Sequence, residues 1–141
     1  MIHHSGQRVY FSDTDAGGIV YHSNYIVFAE HARSDMMRDL GYTSSACMRA
    51  GFAFVIRHVS VDFLAPARLD DDLDIRTRIV ACRNASLTFE QTIFRGEELL
   101  ARVMVKAACV NKDFKPIRFP EAFRARFAPY IETPENPISA P

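Results

Sequence analysis

Neither sign of charge is in excess in this sequence: 17 Lys and Arg face 17 Asp and Glu across 141 residues. Without a net basic field nothing holds nucleic acid broadly by its phosphates, so no nucleic-acid partner is expected. Long hydrophobic runs are missing as well. The stretches from Gly51 to Ile56 and from Val103 to Val110, the second interrupted by Lys106, fall well short of the ~20 residues that cross a bilayer. The opening Met1-Ile2-His3-His4-Ser5-Gly6 has no basic start followed by an apolar region, so no secretory signal is read and the expected compartment is cytoplasmic. Cysteine is scarce: Cys47, Cys82 and Cys109 stand far apart without a CxxC pair, and His3, His4, His31 and His58 form no His-x-x-x-His. That spacing argues against both a disulfide framework and a metal site, leaving the cysteines as small core hydrophobes. No internal repeat is visible.

What is present suits one folded unit. Hydrophobic residues make up 48% and charged residues 24% of a 16.0 kDa chain, enough for a single core. A single domain is expected over residues 1–128, followed by a tail, 129–141, in which four prolines predict a loose segment.

Val9 and Phe11 alternate with Arg8 and Tyr10, which predicts a short strand over Gln7 to Ser12. From Ser23 to Leu40 the apolar residues Tyr25, Phe28, Ala29, Ala32, Met36 and Leu40 recur every three or four positions, the period of a helix with one buried face. Ser23 or Asn24 is placed to cap its start and Gly41 to end it. After Gly51 the period becomes two. Strands are expected over Phe52 to Leu64, Leu73 to Ala81, Ser86 to Phe94 and Leu99 to Asn111, the last two joined by the turn Arg95-Gly96-Glu97-Glu98. Pro120 to Phe127 reads as a short closing helix with Pro in its first turn. The fold class is α+β: five antiparallel strands and one long helix. Bare sheet edges invite pairing, so a homodimer or larger assembly is expected.

The segment Asp13-Thr14-Asp15-Ala16-Gly17-Gly18-Ile19-Val20-Tyr21-His22-Ser23-Asn24-Tyr25 carries the most chemistry. Two carboxylates precede a Gly pair, and the pair precedes a helix start. Glycine permits close backbone approach, and the first N–H groups of a helix point outward without intrahelical partners. A carboxylate facing such donors has the parts for acyl transfer: one group attacks or activates water, the other stabilises the oxyanion. Asp, Thr and Gly are also ordinary turn formers, so the loop alone does not decide. Counted as a calcium loop from Asp13, position six is Gly18 but position twelve is Asn24 rather than Glu, which argues against calcium.

This segment, the helix leading to Gly41 and the later run Val61-Asp62-Phe63-Leu64-Ala65-Pro66-Ala67-Arg68-Leu69-Asp70-Asp71 resemble the 4-hydroxybenzoyl-CoA thioesterase family. The likeness is greatest to its acyl-CoA thioesterase branch associated with the bacterial Tol-Pal envelope system. It extends in order from Arg8 to Pro120. The resemblance implies a hotdog fold, a five-stranded antiparallel sheet wrapped around one long central helix. It implies hydrolysis of acyl-CoA to free acid and CoA, with no cofactor besides the coenzyme A carried by the substrate. Asp15 would be nucleophile or general base and Asp13 would orient the loop. The backbone N–H of His22 would polarise the thioester carbonyl while its ring positions substrate or water. Gly17, Gly18 and Tyr25 are the expected substrate contacts nearby. Coenzyme A would lie at the interface of a homodimer or homotetramer, its nucleotide end near Arg83, Asn84 and Ser86. The family carries a basic run at that turn, whereas this chain keeps only Arg83 there.

Two rivals follow from the same fold. A hydroxyacyl-thioester dehydratase would need a His and a helix carboxylate paired across the interface, and would leave the Asp13 to His22 loop without a role; Glu30 on the helix could serve as base in the other catalytic style of hotdog enzymes, and otherwise is expected to be exposed and paired with Arg33 three residues on. A non-catalytic acyl-thioester-binding or scaffold protein of the envelope system would bind without turnover. Release of CoA thiol separates hydrolysis from both.

Overall fold

The computed structural model describes residues 1–132. Its elements are β1 (His3–Arg8), α1 (Asn24–Asp39), α2 (Ser44–Arg49), β2 (Ala53–Phe63), β3 (Asp72–Cys82), β4 (Ser86–Arg95), β5 (Glu98–Val110) and α3 (Glu121–Phe127), with 3-10 turns at Phe11–Asp13 and Ala128–Tyr130. The strands form one antiparallel sheet in the order β1-β3-β4-β5-β2. Strands β3, β4 and β5 pair in chain order through short turns; the two residues between β4 and β5 include Gly96 at a φ of +60°, the left-handed conformation such tight hairpins demand. Since β1 and β2 occupy opposite edges, the chain between them crosses the full width of the sheet. Helices α1 and α2 are that crossing.

Helix α1 buries Tyr25, Phe28, Ala29, Ala32 and Met36, the stripe its three- and four-residue spacing predicts. They join one core with the inward side chains of the sheet, among them Ile75, Ile79, Leu87, Ile93, Val103 and Val105. Burying a side chain such as Phe28 or Met36 contributes roughly 1.5–3 kcal/mol, so packing rather than propensity holds this helix in place. Gln91 interrupts the apolar stripe of β4, and its amide is satisfied: Nε2 donates to the Ala29 carbonyl at 2.8 Å and to Thr77 Oγ1 at 3.1 Å. Beyond the C-terminal end of α1, α3 packs Phe123 edge-on to Tyr42 (4.9 Å between ring centroids) and to Phe127 (4.8 Å). On the other face of the sheet a buried ionic row crosses three strands. Arg78 on β3 meets Glu90 on β4 at 2.9 Å, Arg102 on β5 meets the same carboxylate at 2.7 Å, and Glu132 reaches Arg78 at 3.2 Å.

Several expectations need correcting. The long central helix is a 16-residue α1 followed by the separate six-residue α2, so the architecture is five antiparallel strands with few and short helices. Gly41, at a φ of +84°, does end α1, with Tyr42 N–H donating to the Met37 carbonyl at 2.8 Å. Its start is not capped as expected: Ser23 is itself helical with no side-chain cap, and Asn24 Nδ2 donates instead to the Asp13 carbonyl at 2.8 Å. Strand β1 runs over His3–Arg8 rather than Gln7 to Ser12. Its inward residues are polar: His3 Nε2 lies 2.7 Å from Asp39 Oδ2, and Ser5 Oγ donates to Asp35. Glu30 is exposed as expected, but Arg33 donates to Gln91 Oε1 at 3.0 Å rather than pairing with it. Past residue 128, Ile131 bridges to Ile79 and Glu132 joins the ionic row; 133–141, the rest of the stretch expected to be loose, lie outside the described residues. No helix among the described residues is long and apolar enough to cross a membrane.

Candidate active site

The loop between β1 and α1 is folded back on itself and fastened at both ends. Asp13 fastens the base. Its Oδ2 accepts the Tyr10 N–H at 2.9 Å, and its carbonyl accepts both the Tyr21 N–H at 3.0 Å and Asn24 Nδ2. Thr14 pairs with Val20, and a turn closes above them: Asp15 N–H donates to the Ile19 carbonyl at 2.9 Å and Gly18 N–H to the Asp15 carbonyl at 3.0 Å. Gly18, at a φ of +79°, takes the conformation that this closure requires. The expected residues Asp15, Gly17 and Gly18 thus share one turn at the tip of a small ladder. His22 follows its base and leads into α1.

The loop also rests on the segment after β2. Val20 N–H donates to the Ala67 carbonyl at 2.9 Å, while Ala67 N–H donates to the hydroxyl of Tyr25 at 3.0 Å. Tyr25 is therefore a buried anchor beneath the loop, with its hydroxyl already engaged. Its ring stands edge-on to Phe63 at 5.3 Å, and Phe63 in turn presents itself edge-on to His22 at 6.5 Å. The imidazole of His22 is exposed and also lies 4.5 Å from the Tyr21 ring.

Asp15 is exposed at the loop tip. One carboxylate oxygen, Oδ1, accepts the Gly17 N–H at 2.8 Å, which fixes the rotamer; Oδ2 has no partner among the described residues. A methyl group at position 17 would approach that Oδ1 to 3.2 Å, closer than ordinary contact allows. The N–H groups of His22 and Ser23 likewise find no acceptor among the described residues, but His22 lies in the turn ahead of the Ser23 cap rather than in the first turn of α1 as expected, and the N–H groups of Asn24, Tyr25 and Ile26 in that first turn are taken by the carbonyls of Tyr21, His22 and Ser23. A held carboxylate with one open oxygen and unbonded amides are the kinds of group that acyl transfer uses. No group of three or more His, Cys, Asp or Glu among the described residues is arranged to hold a metal.

Between residues 9 and 127 the chain matches the model of the thioesterase-like superfamily. The chain belongs to that superfamily. It is 44% identical over 122 residues to the acyl-CoA thioester hydrolase YbgC of Shigella flexneri, spanning 85% of this chain and 91% of that one. It is 38% identical to the acyl-CoA thioesterase YbgC of Haemophilus influenzae, spanning 85% and 90%. The crystal structure of a probable thioesterase from Bartonella henselae superposes with a TM-score of 0.81 at 38% identity, covering 85% of this chain and all of that one.

In this thioesterase-like chain, the other expected contacts lie apart from the loop. Arg83, Asn84 and Ser86 line a separate open depression of about 560 Å³, which also receives Arg57 from β2 and Lys106 from β5. Sequence reasoning missed the last two, because no local pattern brings them to the same turn. A second cavity of about 340 Å³ lies among α1, α2 and β2, with Met37, Met48, Phe54 and Ile56 in its walls beside Arg33. Burial pushes the Arg33 guanidinium below its ordinary value, and nearby Glu30 offsets part of that.

Proposed function

We propose that this protein hydrolyses acyl-CoA thioesters to the free acid and coenzyme A, with Asp15 as the reacting carboxylate. The observation that carries the reading is the Asp15 side chain itself, exposed, with one oxygen held by Gly17 N–H and the other unpartnered. The chemistry has two routes. As nucleophile, the Asp15 carboxylate attacks the thioester carbon; the C–S bond breaks, the thiolate leaves and takes a proton from water, and a mixed anhydride remains for a second water to hydrolyse, restoring Asp15. As general base, Asp15 takes a proton from a water that attacks the same carbon directly; the C–S bond then breaks, and the leaving thiolate takes that proton back from Asp15, restoring the carboxylate. In both, the carbonyl oxygen becomes an oxyanion and the unbonded N–H at His22 is its donor. One such donor is worth ~2.7–4 kcal/mol of barrier lowering. The His22 ring beside it positions substrate or water, and Tyr25 and Gly18 hold the loop in shape. Coenzyme A is the only cofactor-like group involved, and it arrives as part of the substrate.

The same proposal places the chain in the 4-hydroxybenzoyl-CoA thioesterase branch, on the strength of the Asp13 to Tyr25 segment, and associates it with the Tol-Pal envelope system. A homodimer or homotetramer is supported by the outer edge of β2, eleven residues long, along which Ile56 and Phe63 are exposed. A reducing compartment, the cytoplasm, is supported by three cysteines without a disulfide among them.

The deciding experiment is the Asp15→Asn variant, assayed by thiol release from a panel of acyl-CoAs. A kcat reduced a hundredfold or more is expected for loss of a reacting carboxylate; wild-type turnover by a folded variant refutes the assignment. Single turnover in ¹⁸O-labelled water then separates the routes, since only the nucleophilic one leaves label in the Asp15 side chain.

A further inference from the structure

The chain is neutral as a whole, but its charge is divided between the two ends of the sheet. Asp70, Asp71, Asp72, Glu97 and Glu98 stand at the end that holds the β2–β3 connection and the β4–β5 turn, and the Asp15 loop joins them there through Val9 and Ile19. At the other end, where β5 runs out beside the β3–β4 turn, residues 111–118 double back. Val110 bridges to Pro116, and Ile117 N–H donates to the Cys109 carbonyl at 3.0 Å. Phe119 N–H ties the segment to the β3–β4 turn by donating to the Asn84 carbonyl at 3.1 Å. Here cations gather. Lys112, Lys115, Arg118 and Arg83 are all exposed, and none belongs to an ion pair among the described residues. Asp113 is the one carboxylate in the doubled-back segment.

Phe114 occupies the tip of this segment. It is 76% exposed and holds a φ of +59°, the left-handed region that is an outlier for a bulky side chain. The turn fixes it there. Asn111 Oδ1 accepts the Asp113 N–H at 2.9 Å and the Lys115 N–H at 3.1 Å. The Asn111 carbonyl accepts Phe114 N–H at 2.9 Å, and Asn111 N–H donates to the Lys115 carbonyl at 2.9 Å. Glycine or asparagine would take the same conformation with less strain, and neither would put a benzyl group into water. Phe114 has no place in the core, so packing within the chain offsets neither the strain nor the exposure. Strain of this kind persists at sites of function.

A large apolar side chain held out on a rigid turn and flanked by cations matches an anionic bilayer, where the ring enters the acyl boundary and Lys and Arg meet the head groups. A protein partner would need an apolar core to its patch. Between Leu69 and Ile131, however, Phe114 is the only large apolar side chain in the exposed class. Phe11, exposed to a similar degree, stands beside Asp13 at the acidic end, where an anionic surface is repelled. We propose that the tip of 111–118 is a membrane contact: Phe114 inserts into the interface of a bilayer rich in anionic lipid, and Lys112, Lys115 and Arg118 engage its head groups. The divided charge sets the orientation. It leaves the Asp15 turn at the far end of strands such as the eleven-residue β3, roughly 35 Å from the surface and open to dissolved substrate. The contact goes beyond the acyl-CoA reading and does not depend on it.

The test uses the full chain and two kinds of vesicle, phosphatidylcholine alone and phosphatidylcholine with about one third phosphatidylglycerol. Wild type should sediment with the anionic vesicles and not with the neutral ones, and added salt should release it. Since the sequence contains no tryptophan, Phe114→Trp places a single indole at the tip. Its emission should shift to the blue on anionic vesicles as the ring leaves water. Phe114→Asn should weaken vesicle binding about tenfold, and Lys112→Gln combined with Lys115→Gln by at least as much. Thiol release in lipid-free solution should be unchanged in both, and the unfolding midpoint of Phe114→Asn should not fall, because asparagine accepts the left-handed backbone. Wild type that stays in the supernatant with anionic vesicles, or an indole emission that does not move when the protein binds, overturns the contact. A lowered midpoint in Phe114→Asn also overturns it, since the ring would then serve the fold. Binding to an acidic protein that the same variants lose, with no affinity for either vesicle, overturns it in favour of a protein partner.

Discussion

Changing Tyr25 to Phe removes one oxygen atom, but that oxygen is the acceptor on which the seat of the Asp15 loop depends. Tyr25 is 3% exposed and Ala67 fully buried, and the Ala67 N–H donates to the Tyr25 hydroxyl at 3.0 Å. The Ala67 carbonyl in turn receives Val20 N–H from the loop. The ring is conserved in the variant, so its contacts with Phe28 and Phe63 and its buried area are retained, and no cavity larger than the missing hydroxyl appears. What remains is a buried amide with no acceptor, a cost of about 1–3 kcal/mol. With a urea m-value of roughly 1–3 kcal/mol per molar, the unfolding midpoint of Tyr25→Phe should fall by about 1 M at unchanged m. Protein concentration must be held fixed, since any assembly couples to the midpoint. Turnover should fall as well, because relaxation at Ala67 passes through Val20 to the turn that carries Asp15. A midpoint and a kcat both equal to wild type would refute the argument that this hydroxyl seats the loop.

Three other outcomes follow from buried groups. Glu90→Ala strands Arg78, whose side chain is 2% exposed, with Glu132 as its remaining partner; breaking a buried pair from one side costs ~3–5 kcal/mol, and chemical denaturation should show a loss near the lower bound with thioesterase activity per folded molecule preserved. Burial raises the Cys109 thiol to about 11, reinforced by nearby Cys47, from an ordinary value of 9.0, and burial raises Cys47 as well. The folded state therefore keeps protons that the unfolded chain releases, so the contribution to stability is complete below about pH 9 and declines as pH rises toward 11. Iodoacetamide at pH 8 should accordingly label the partly exposed Cys82 first, as peptide mass spectrometry will show; equal labelling of Cys109 would contradict its burial.

The parts of the fold legible in the sequence are those governed by apolar period. Strands β2 to β5 and the body of α1 were readable because Val, Ile, Leu and Phe alternate or recur at the spacing of the element. Strand β1 was displaced in that reading because the residues it turns inward, His3 and Ser5, are polar and satisfied by Asp39 and Asp35 of α1. Helix α2 escaped because six residues hold too few turns for a period to show. At the candidate site, the Asp15 turn stood out through its composition, since Gly18 occupies the one conformation that favours glycine there. Arg57 and Lys106 did not, because their approach to the β3–β4 turn depends on strand pairing and on an irregularity of β2 at Arg57 that no local pattern announces. Tyr25 was visible as an apolar helix residue, but the use of its hydroxyl depends on Ala67, forty-two positions away.

The route of the chain from one margin of the sheet to the other has a mechanical result. Everything from Val9 to Phe52 is a strap buckled at two outermost strands, and the Asp15 carboxylate is mounted on the strap rather than on the frame. Fraying at either margin slackens it, and the bonds through Ala67 and the buried Tyr25 are what hold position 15 against that. A second molecule laid along the β2 margin would tighten the buckle, and would thereby stiffen the reactive turn without touching it.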